Sequence, residues 1–292
     1  MAPKVLDWEK IVPEKHFRFA PPKSGATHGG FSVGVDVFDE DSNANQRFVH
    51  QAPPLSLPFG ISSKTNKNTP DGATHYSASF SFPTVRMDPV SGEFHGEPTT
   101  LAYLKFLQSV EALNKKKAFE QSKTWFKKPM SESIINEFYF NAVYISEKVR
   151  SGEYSPTFTA KITEEPNRWA TKFFVCRETP GEPTTVAPSS MDLVPKSRKV
   201  IPLIETSGIW FAGKQFGMSF KVVQMAYFED DNFTGMSIDL GSAVEYTTIE
   251  RPLLKNTEDN EAVTGTKRKF DEGIMPPGKA AAFNFPTESA KE

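Results

Sequence analysis

The sequence contains a single cysteine, Cys176, which excludes a disulfide bond within the chain and suggests a reducing compartment. It also lacks any apolar run near the roughly 20 residues that a bilayer-spanning helix needs, so we expect no membrane partner. The first ten residues, MAPKVLDWEK, have neither the basic start nor the apolar stretch of a secretory signal. These absences predict an intracellular protein.

The chain has little net charge, −2 at pH 7, which argues against a protein that binds duplex DNA through a uniformly basic surface. The charge is nevertheless segregated along the sequence. Residues 113–128 hold six lysines and one glutamate, whereas residues 229–261 hold nine acidic and two basic residues. A strongly polarised surface is therefore compatible with the near-neutral total.

Catalytic and metal-binding motifs are also missing. The five histidines all lie in the first third of the chain, without paired spacing and with no cysteine near them, which argues against a zinc site. No phosphate-binding glycine loop, dinucleotide motif or glycine-flanked nucleophilic serine is present. We therefore expect a protein that is not an enzyme and has no metal and no cofactor. The acidic turns FDED (38–41) and EDD (229–231) leave a metal-dependent nuclease as an alternative, although solvated turns explain them more simply.

Strand-like and helical patterns follow one another along the chain. Residue alternation and β-rich composition predict strands at 31–38, 47–62, 74–83, 154–163, 168–178 and 199–225. Within 47–62, the prolines are expected to keep the later part out of a central sheet position. Apolar residues at three- and four-residue spacing predict a helix from about residue 99, and Ser131 is a suitable N-cap for a second helix that Gly152 ends.

These patterns predict a mainly β, α+β domain over residues 31–251 with a helical insertion at about 99–150. Residues 1–30, which contain Pro13, Pro21, Pro22 and the stretch GATHGG, are expected to form an irregular N-terminal arm. Residues 252–292 lose the apolar pattern and are expected to form a disordered, charged tail.

Phenylalanine is unusually abundant, with 25 residues against 7 tyrosines. The stretch GIWFAGKQFGMSFKVVQM predicts a β-hairpin in which Trp210 and Phe216 flank a turn near Lys214, with Lys221 further along. Proteins that bind single-stranded nucleic acid stack exposed rings on bases and place cations along the phosphates, and small OB-type β-barrels offer such a surface. The alternative is that the rings belong to the core, and the pattern favours neither interpretation.

Two further stretches combine rings with cations. KTWFKK holds Trp125 among lysines, but a helix end that buries its rings and exposes its lysines explains it slightly better. In RWATKFF, alternation places Trp169 and Lys172 on opposite strand faces, and core packing is again favoured for at least one ring. The combination of three such stretches in a sequence without catalytic groups favours nucleic-acid binding over other functions.

Four segments, in this order, resemble one protein family. FVHQAPPLSLPFGIS, WFKKPMSESIINEF, YSPTFTAKI and SGIWFAGKQFGMSFKVVQM are similar to segments of the replicative single-stranded-DNA-binding proteins of large nucleocytoplasmic (algal-type) DNA viruses, which are relatives of the OB-fold binding protein of short-tailed phages. The resemblance implies an OB-fold-type β-barrel with inserted helices. It also implies a non-catalytic protein that binds single-stranded DNA without strong sequence preference during viral DNA replication and recombination.

The matching motifs also supply candidate DNA-binding residues. By resemblance these are Trp125, Lys127, Lys128, Lys161, Trp210, Lys214 and Lys221. The ring and charge pattern alone adds Trp169, Lys172 and Phe216.

The implied partners are single-stranded DNA and, through the C-terminal tail, replication proteins such as a polymerase or helicase, with self-association as a further option. The implied location is the host nucleus or a viral replication compartment, with the cytoplasm as the alternative.

The phage relatives end in an acidic tail that can occupy the DNA groove. Here TKRKFDEG interrupts the acidic residues, so the sequence does not decide whether the tail is autoinhibitory. The run KRK (267–269) is either a nuclear-import signal or, as the sequence favours, a solvated basic run. The alternative to DNA binding is a β-rich viral structural protein, such as a minor capsid or jelly-roll component, which this proline-rich sequence also fits.

Overall fold

The computed structural model describes residues 4–24, 31–65, 74–164, 170–177 and 185–229. The chain divides into two units, Met1–Thr247 and Thr248–Glu292, and the second unit lies outside the described residues. The predicted disordered tail, the GATHGG stretch and Trp169 therefore lie outside them as well, as does the acidic run after Glu229.

The described residues form β-strands with a helical insertion. The strands are β1 (Val5–Leu6), β2 (Phe17–Phe19), β3 (Lys23–Ser24), β4 (Phe31–Val33), β5 (Val35–Asp39), β6 (Ala44–Gln46), β7 (Phe48–Gln51), β8 (Leu55–Leu57), β9 (Ile61–Thr65), β10 (Thr74–Ser81), β11 (Arg86–Met87), β12 (Phe94–His95), β13 (Val143–Tyr144), β14 (Thr157–Ile162), β15 (Lys172–Arg177), β16 (Thr185–Ser189), β17 (Arg198–Ala212) and β18 (Gln215–Phe228). The helices are α1 (Pro13–His16), α2 (Pro98–Glu120), α3 (Ser122–Trp125), α4 (Glu132–Phe138) and α5 (Glu147–Arg150), with 3₁₀ turns at Trp8–Lys10 and Met191–Leu193.

Five of these strands close into a barrel. β8 pairs with β10 and β17, β10 pairs with β14, β14 pairs with β18, and β18 pairs with β17. Taken in chain order, the ring runs through the first, second, third, fifth and fourth strand, and the third and fifth strands are parallel. This closed five-strand barrel is of the OB type, and the predicted fold class is confirmed.

The β8 strand corrects the expectation that prolines keep this segment out of a central sheet position. Leu55–Leu57 itself contains no proline, so its backbone groups are available for pairing on both edges. β8 pairs with β17 from Arg198↔Leu57 to Val200↔Leu55, and with β10 at Ser56. Leu55 and Leu57 are fully buried. The prolines therefore lie at the two ends of this short strand and do not exclude it from the barrel.

The helical insertion packs on the barrel through one face of α2. The Glu97 side chain caps the helix by accepting hydrogen bonds from the backbone N–H groups of Thr99 at 3.0 Å and Thr100 at 2.7 Å. Pro98 occupies the first turn, where its missing N–H costs no hydrogen bond. The buried face then repeats every three or four residues as Tyr103, Leu104, Phe106, Leu107, Val110 and Leu113. This face fixes the insertion between the second and third barrel strands.

The second predicted helix is shorter than the sequence indicates. Ser131 caps it, since its Oγ accepts a hydrogen bond from the Ile134 N–H at 3.4 Å, but α4 ends at Phe138. The chain then turns along the barrel, where the Phe140 N–H donates to the Phe216 carbonyl oxygen at 2.7 Å. A helix that continued past Phe138 would use this N–H internally, so pairing with β18 ends the helix and produces an extended segment.

Residues 4–24 are not an irregular arm. β1 pairs in parallel with β7, and β2 pairs with β5. Leu6, Trp8 and Phe17 are buried in the main core, and the Trp8 ring lies 5.1 Å from the Tyr103 ring of α2 between centroids. The apolar side chains of this segment are too few and too irregularly spaced to show a period, although they gain hydrophobic free energy by joining the core.

Asp39, in the FDED turn, is held by a set of hydrogen bonds. Its Oδ2 atom accepts from Lys4 Nζ at 2.7 Å, from Ser42 Oγ at 2.6 Å and from Gln46 Nε2 at 2.8 Å. Lys4, followed by Ser42, lowers the pKa of the Asp39 carboxyl to about 2. This buried carboxylate therefore links the start of the described chain to β5.

Replacing Asp39 with asparagine is expected to lower the free energy of unfolding at neutral pH, because asparagine has no charge to pair with Lys4. The loss should be limited to about 1–2 kcal/mol, because Lys4 is half exposed and solvent screens the ion pair. The folded-state pKa lies below the unfolded value, so this contribution is present above about pH 4 and is lost as the pH falls towards about 2. Urea unfolding at neutral and acid pH measures it. Asp36→Asn, at an exposed site on the same strand, is the control, and an Asp39→Asn variant as stable as wild type at neutral pH would contradict the expectation.

Candidate nucleic-acid interface

An open groove of about 1060 Å³ crosses the outer face of the barrel. β10 and β14 form its floor, β17 and β18 extend it, and α2 and residues 139–145 form its walls. Outward positions of the floor strands carry Ser79, Thr159 and Lys161, whereas the alternate Phe80 is buried. Ser79 Oγ and Thr159 Oγ1 share a hydrogen bond of 3.0 Å across the two strands. Period-two alternation thus gives a floor of small polar side chains over an apolar core.

Six aromatic residues line this groove; Tyr139 and Phe220 are buried, and four are exposed or partly exposed: Phe59, Phe140, Tyr144 and Trp210. Phe59, Phe140 and Tyr144 are 63%, 55% and 65% exposed, and Trp210 is partly exposed. The Phe140 and Trp210 rings are tilted against each other with centroids 5.9 Å apart. Large rings left uncovered around one depression are typical of a binding site, because burial elsewhere would gain hydrophobic free energy.

Gly217 allows the two neighbouring rings to lie close to the barrel. It pairs with Trp210 across the β17–β18 hairpin. A Cβ atom at this position would lie 2.8 Å from the Phe140 carbonyl oxygen and 3.2 Å from Trp210 Cζ2. The absence of a side chain at Gly217 therefore sets the positions of both rings in the groove.

The charge that lines the groove is mainly positive. Its charged side chains are Lys115, Arg150, Lys161 and Glu111. Glu111 is buried, accepts a hydrogen bond from the Val143 N–H at 3.0 Å, and has its pKa raised by that burial. Arg150 and Lys161 are exposed. The accessible charge of the groove is therefore cationic, although the whole chain carries −2.

Lys221 adds a further cation beside the groove. It is the Cα partner of Lys161 in the parallel pairing of β14 with β18. Burial lowers the pKa of the Lys221 ammonium group, while Glu205 on the adjacent strand raises it and Arg47 lowers it. The Glu205 carboxylate itself lies 3.3 Å from Arg47 Nη1. Two lysines therefore stand side by side where the floor meets β18.

The structure separates the predicted DNA-binding residues. Trp210 and Lys161 line the groove and Lys221 adjoins it, while their role in binding stays a prediction. Trp169 is outside the described residues. Four exposed lysines do not line the groove: Lys127, Lys128, Lys172 and Lys214.

Trp125 and Phe216 are core residues, which corrects their predicted role in base stacking. Their exposed fractions are 3% and 0%. The Phe216 ring lies 5.2 Å from the rings of Tyr139 and Phe126, and the Trp125 ring lies 5.8 Å from Phe211. The hairpin tip and the helix end anchor each other through these rings. This is the core interpretation that the sequence favours for KTWFKK.

Three of the exposed rings are missed by the sequence patterns. Phe59 stands between a proline and a glycine in a loop, and a large aromatic side chain in such a loop is a signal for function that could have found it. Phe140 and Tyr144 lie in the stretch predicted as helix. Their exposure follows only from the end of α4 at Phe138.

Within the described part of the chain, none of the helices has the length and apolar character needed to cross a membrane. Across the same residues, no group of three or more His, Cys, Asp or Glu side chains is placed to hold a metal ion.

Comparisons with known proteins give three findings. Residues 99–235 match the model of a family of unknown function (DUF5871), a range that begins at the second residue of α2 and includes the barrel strands β14, β17 and β18. No curated protein matches the chain. One similar solved structure is the single-stranded DNA-binding protein from bacteriophage Enc34, with 12% identity, coverage of 77% of this chain and 98% of that chain, and a TM-score of 0.31. Another is the same phage protein in complex with single-stranded DNA, with 13% identity, coverage of 75% and 99%, and a TM-score of 0.31.

Proposed function

We propose that the groove binds single-stranded DNA without strong sequence preference. The observation that carries this proposal is one open groove that combines exposed rings with exposed cations over a hydroxyl-lined floor. Each base stacked on a ring contributes about 1–3 kcal/mol, and the cations offset the phosphate charge. Because every base has a planar face, stacking of this kind favours unpaired nucleotides and depends little on their sequence.

The position of the groove on the barrel supports the same ligand. OB-type barrels bind oligonucleotides on the face of their second and third strands and with the loop between the first and second strands. In this chain those strands are β10 and β14, which form the groove floor. Phe59 lies in the connection that leaves the first barrel strand, β8. The exposed chemistry thus coincides with the face that this barrel type uses.

Titration of the tryptophan fluorescence with a dT oligomer and with a duplex of equal length tests this proposal. We expect the single strand to bind more tightly, because a duplex keeps its bases stacked and paired. The logarithm of its association constant should fall with the logarithm of salt concentration by about 0.7 per phosphate contact. Equal affinity for both forms, or binding of neither, would refute the proposal.

The wider role that we propose rests on the four sequence segments that resemble the viral replicative proteins. In that role the chain protects single strands during viral DNA replication and recombination and is not an enzyme. Its C-terminal tail would contact a polymerase, a helicase or a second copy, in the host nucleus or a viral replication compartment. Labelled single strands incubated with the protein and magnesium or manganese should remain intact, and their cleavage would favour the nuclease alternative.

The capsid alternative receives no support from the fold. A jelly roll packs two sheets built from eight strands, whereas the ring here is a single closed barrel of five strands. A capsid component should be abundant in purified virions and should not bind oligonucleotides, so the same titration separates the two functions.

A further inference from the structure

A second cavity, of about 300 Å³, lies on the helical insertion between α2 and α4. Ala112 and Lys115 line both this cavity and the barrel groove. The two depressions therefore meet on α2, and the exposed side chain at their junction, Ala112, is a single methyl group. An extended ligand that leaves the groove can cross the helix over Ala112, beside the longer Lys115 side chain that also lines both depressions.

The connection follows one face of α2. Gln108, Ala112 and Lys115 line the groove, and Lys116 and Phe119 continue the wall into the second cavity. Residues three and four positions apart lie on the same side of a helix. From Ala112 to Phe119 the helix rises about 10 Å at 1.5 Å per residue, which is the length of about three stacked nucleotides.

The second cavity repeats the chemistry of the groove. The Phe119 ring is 41% exposed, and Lys115 and Lys116 stand against one lining acid, Glu132. Lys116 Nζ lies 2.9 Å from the Glu14 carboxylate, and both side chains are exposed. Exposed ion pairs of this kind contribute little stability, so a phosphate can replace Glu14 as the partner of Lys116.

We propose that a single strand longer than the barrel groove continues across Ala112 onto the helical insertion, stacks a base on Phe119 and places a phosphate near Lys116. This proposal rests on the proposed function, and it makes α2 the second half of one binding track. The insertion would thereby lengthen the site beyond the barrel. Continuity with the groove and the positive lining both favour the same strand as the occupant, over a segment of another protein.

Affinity measured against dT oligomers of about 4 to about 20 nucleotides tests the extension. The Phe119→Ala, Lys116→Ala double variant should bind the shortest oligomers as wild type does. It should bind the longest about tenfold more weakly, because one stacked base is lost, and its salt slope should fall by about 0.7 for one lost phosphate contact. The Lys105→Ala, Ile134→Ala double variant is the matched control. Both residues are exposed, on α2 and α4, and neither lines a cavity, so this variant should bind all oligomers as wild type does.

A second variant keeps the test independent of the stability of the first. In Phe119→Trp, the introduced indole should add quenching beyond that of the wild-type tryptophans with long oligomers and not with the shortest ones. An unquenched indole, or a double variant that binds long oligomers as wild type does, overturns the extension and leaves the cavity to a protein partner. Failure of wild type to bind any oligomer would instead refute the function of the groove itself, so the two failures are distinguishable.

Discussion

Replacing Phe140 and Trp210 together with alanine is expected to weaken binding of a dT oligomer by about 100-fold. Each base that stacks on an aromatic ring contributes about 1–3 kcal/mol, and about 1.4 kcal/mol corresponds to a factor of ten. The two rings lie 5.9 Å apart at the groove, so in the proposed complex they would stack adjacent bases, and their removal leaves Phe59 and Tyr144 of its four exposed or partly exposed rings. Fluorescence anisotropy of a labelled oligomer measures the loss at fixed salt.

The control for this variant removes a ring and a cation elsewhere. Lys148 Nζ lies 4.7 Å from the centroid of the exposed Tyr154 ring, and neither residue lines the groove. The Lys148→Ala, Tyr154→Ala variant should therefore bind the oligomer as wild type does. Thermal unfolding of both variants shows whether each remains folded. If the two double variants lose affinity equally, the rings at the groove are not the stacking surface.

The barrel strands could be predicted because each buries one face and exposes the other. β10 and β14 lie within the predicted strands 74–83 and 154–163, and their alternation gives both the core and the polar floor of the groove. The barrel position of β8 could not be predicted, since its three residues are too few to show a period and the prolines on either side indicate an edge. The packing of residues 4–24 could not be found either, because β1 pairs with a strand more than forty residues away.

The candidate site depends on long-range pairing that the local pattern does not contain. Phe140 is exposed because its backbone pairs with Phe216 on β18, which replaces the helix that the local spacing predicts. The hairpin was closer to prediction. With Gly213 and the next residue as a two-residue turn, Phe211 faces Phe216 while Trp210 faces Gly217. The turn fixes the register, and the register assigns Phe216 to the core and Trp210 to the outer face.

The glycines of this hairpin differ in what they tolerate. Replacing Gly208 with alanine is expected to lower the free energy of unfolding by about 3 kcal/mol or more, a large part of the stability of a domain. Gly208 has φ +115°, which side chains rarely adopt, and a Cβ there would lie 2.5 Å from the Val33 carbonyl oxygen. That contact is where β4 joins β17 through Val33↔Ile209, so the substitution must displace β4 or distort a register shift in β17.

Gly213→Ala in the same hairpin is the matched control for Gly208→Ala. Gly213 has φ +58° at the turn and no atom within 4 Å of an added Cβ, so alanine meets only the left-handed backbone cost of about 1–2 kcal/mol. Urea unfolding should therefore separate the two variants by about 1–2 kcal/mol or more, with Gly208→Ala the less stable. Equal losses would mean that β4, at Val33, can move away from the Cβ added at Gly208 without a cost in stability. In that case β4 would not hold the Trp210 edge of the groove rigidly.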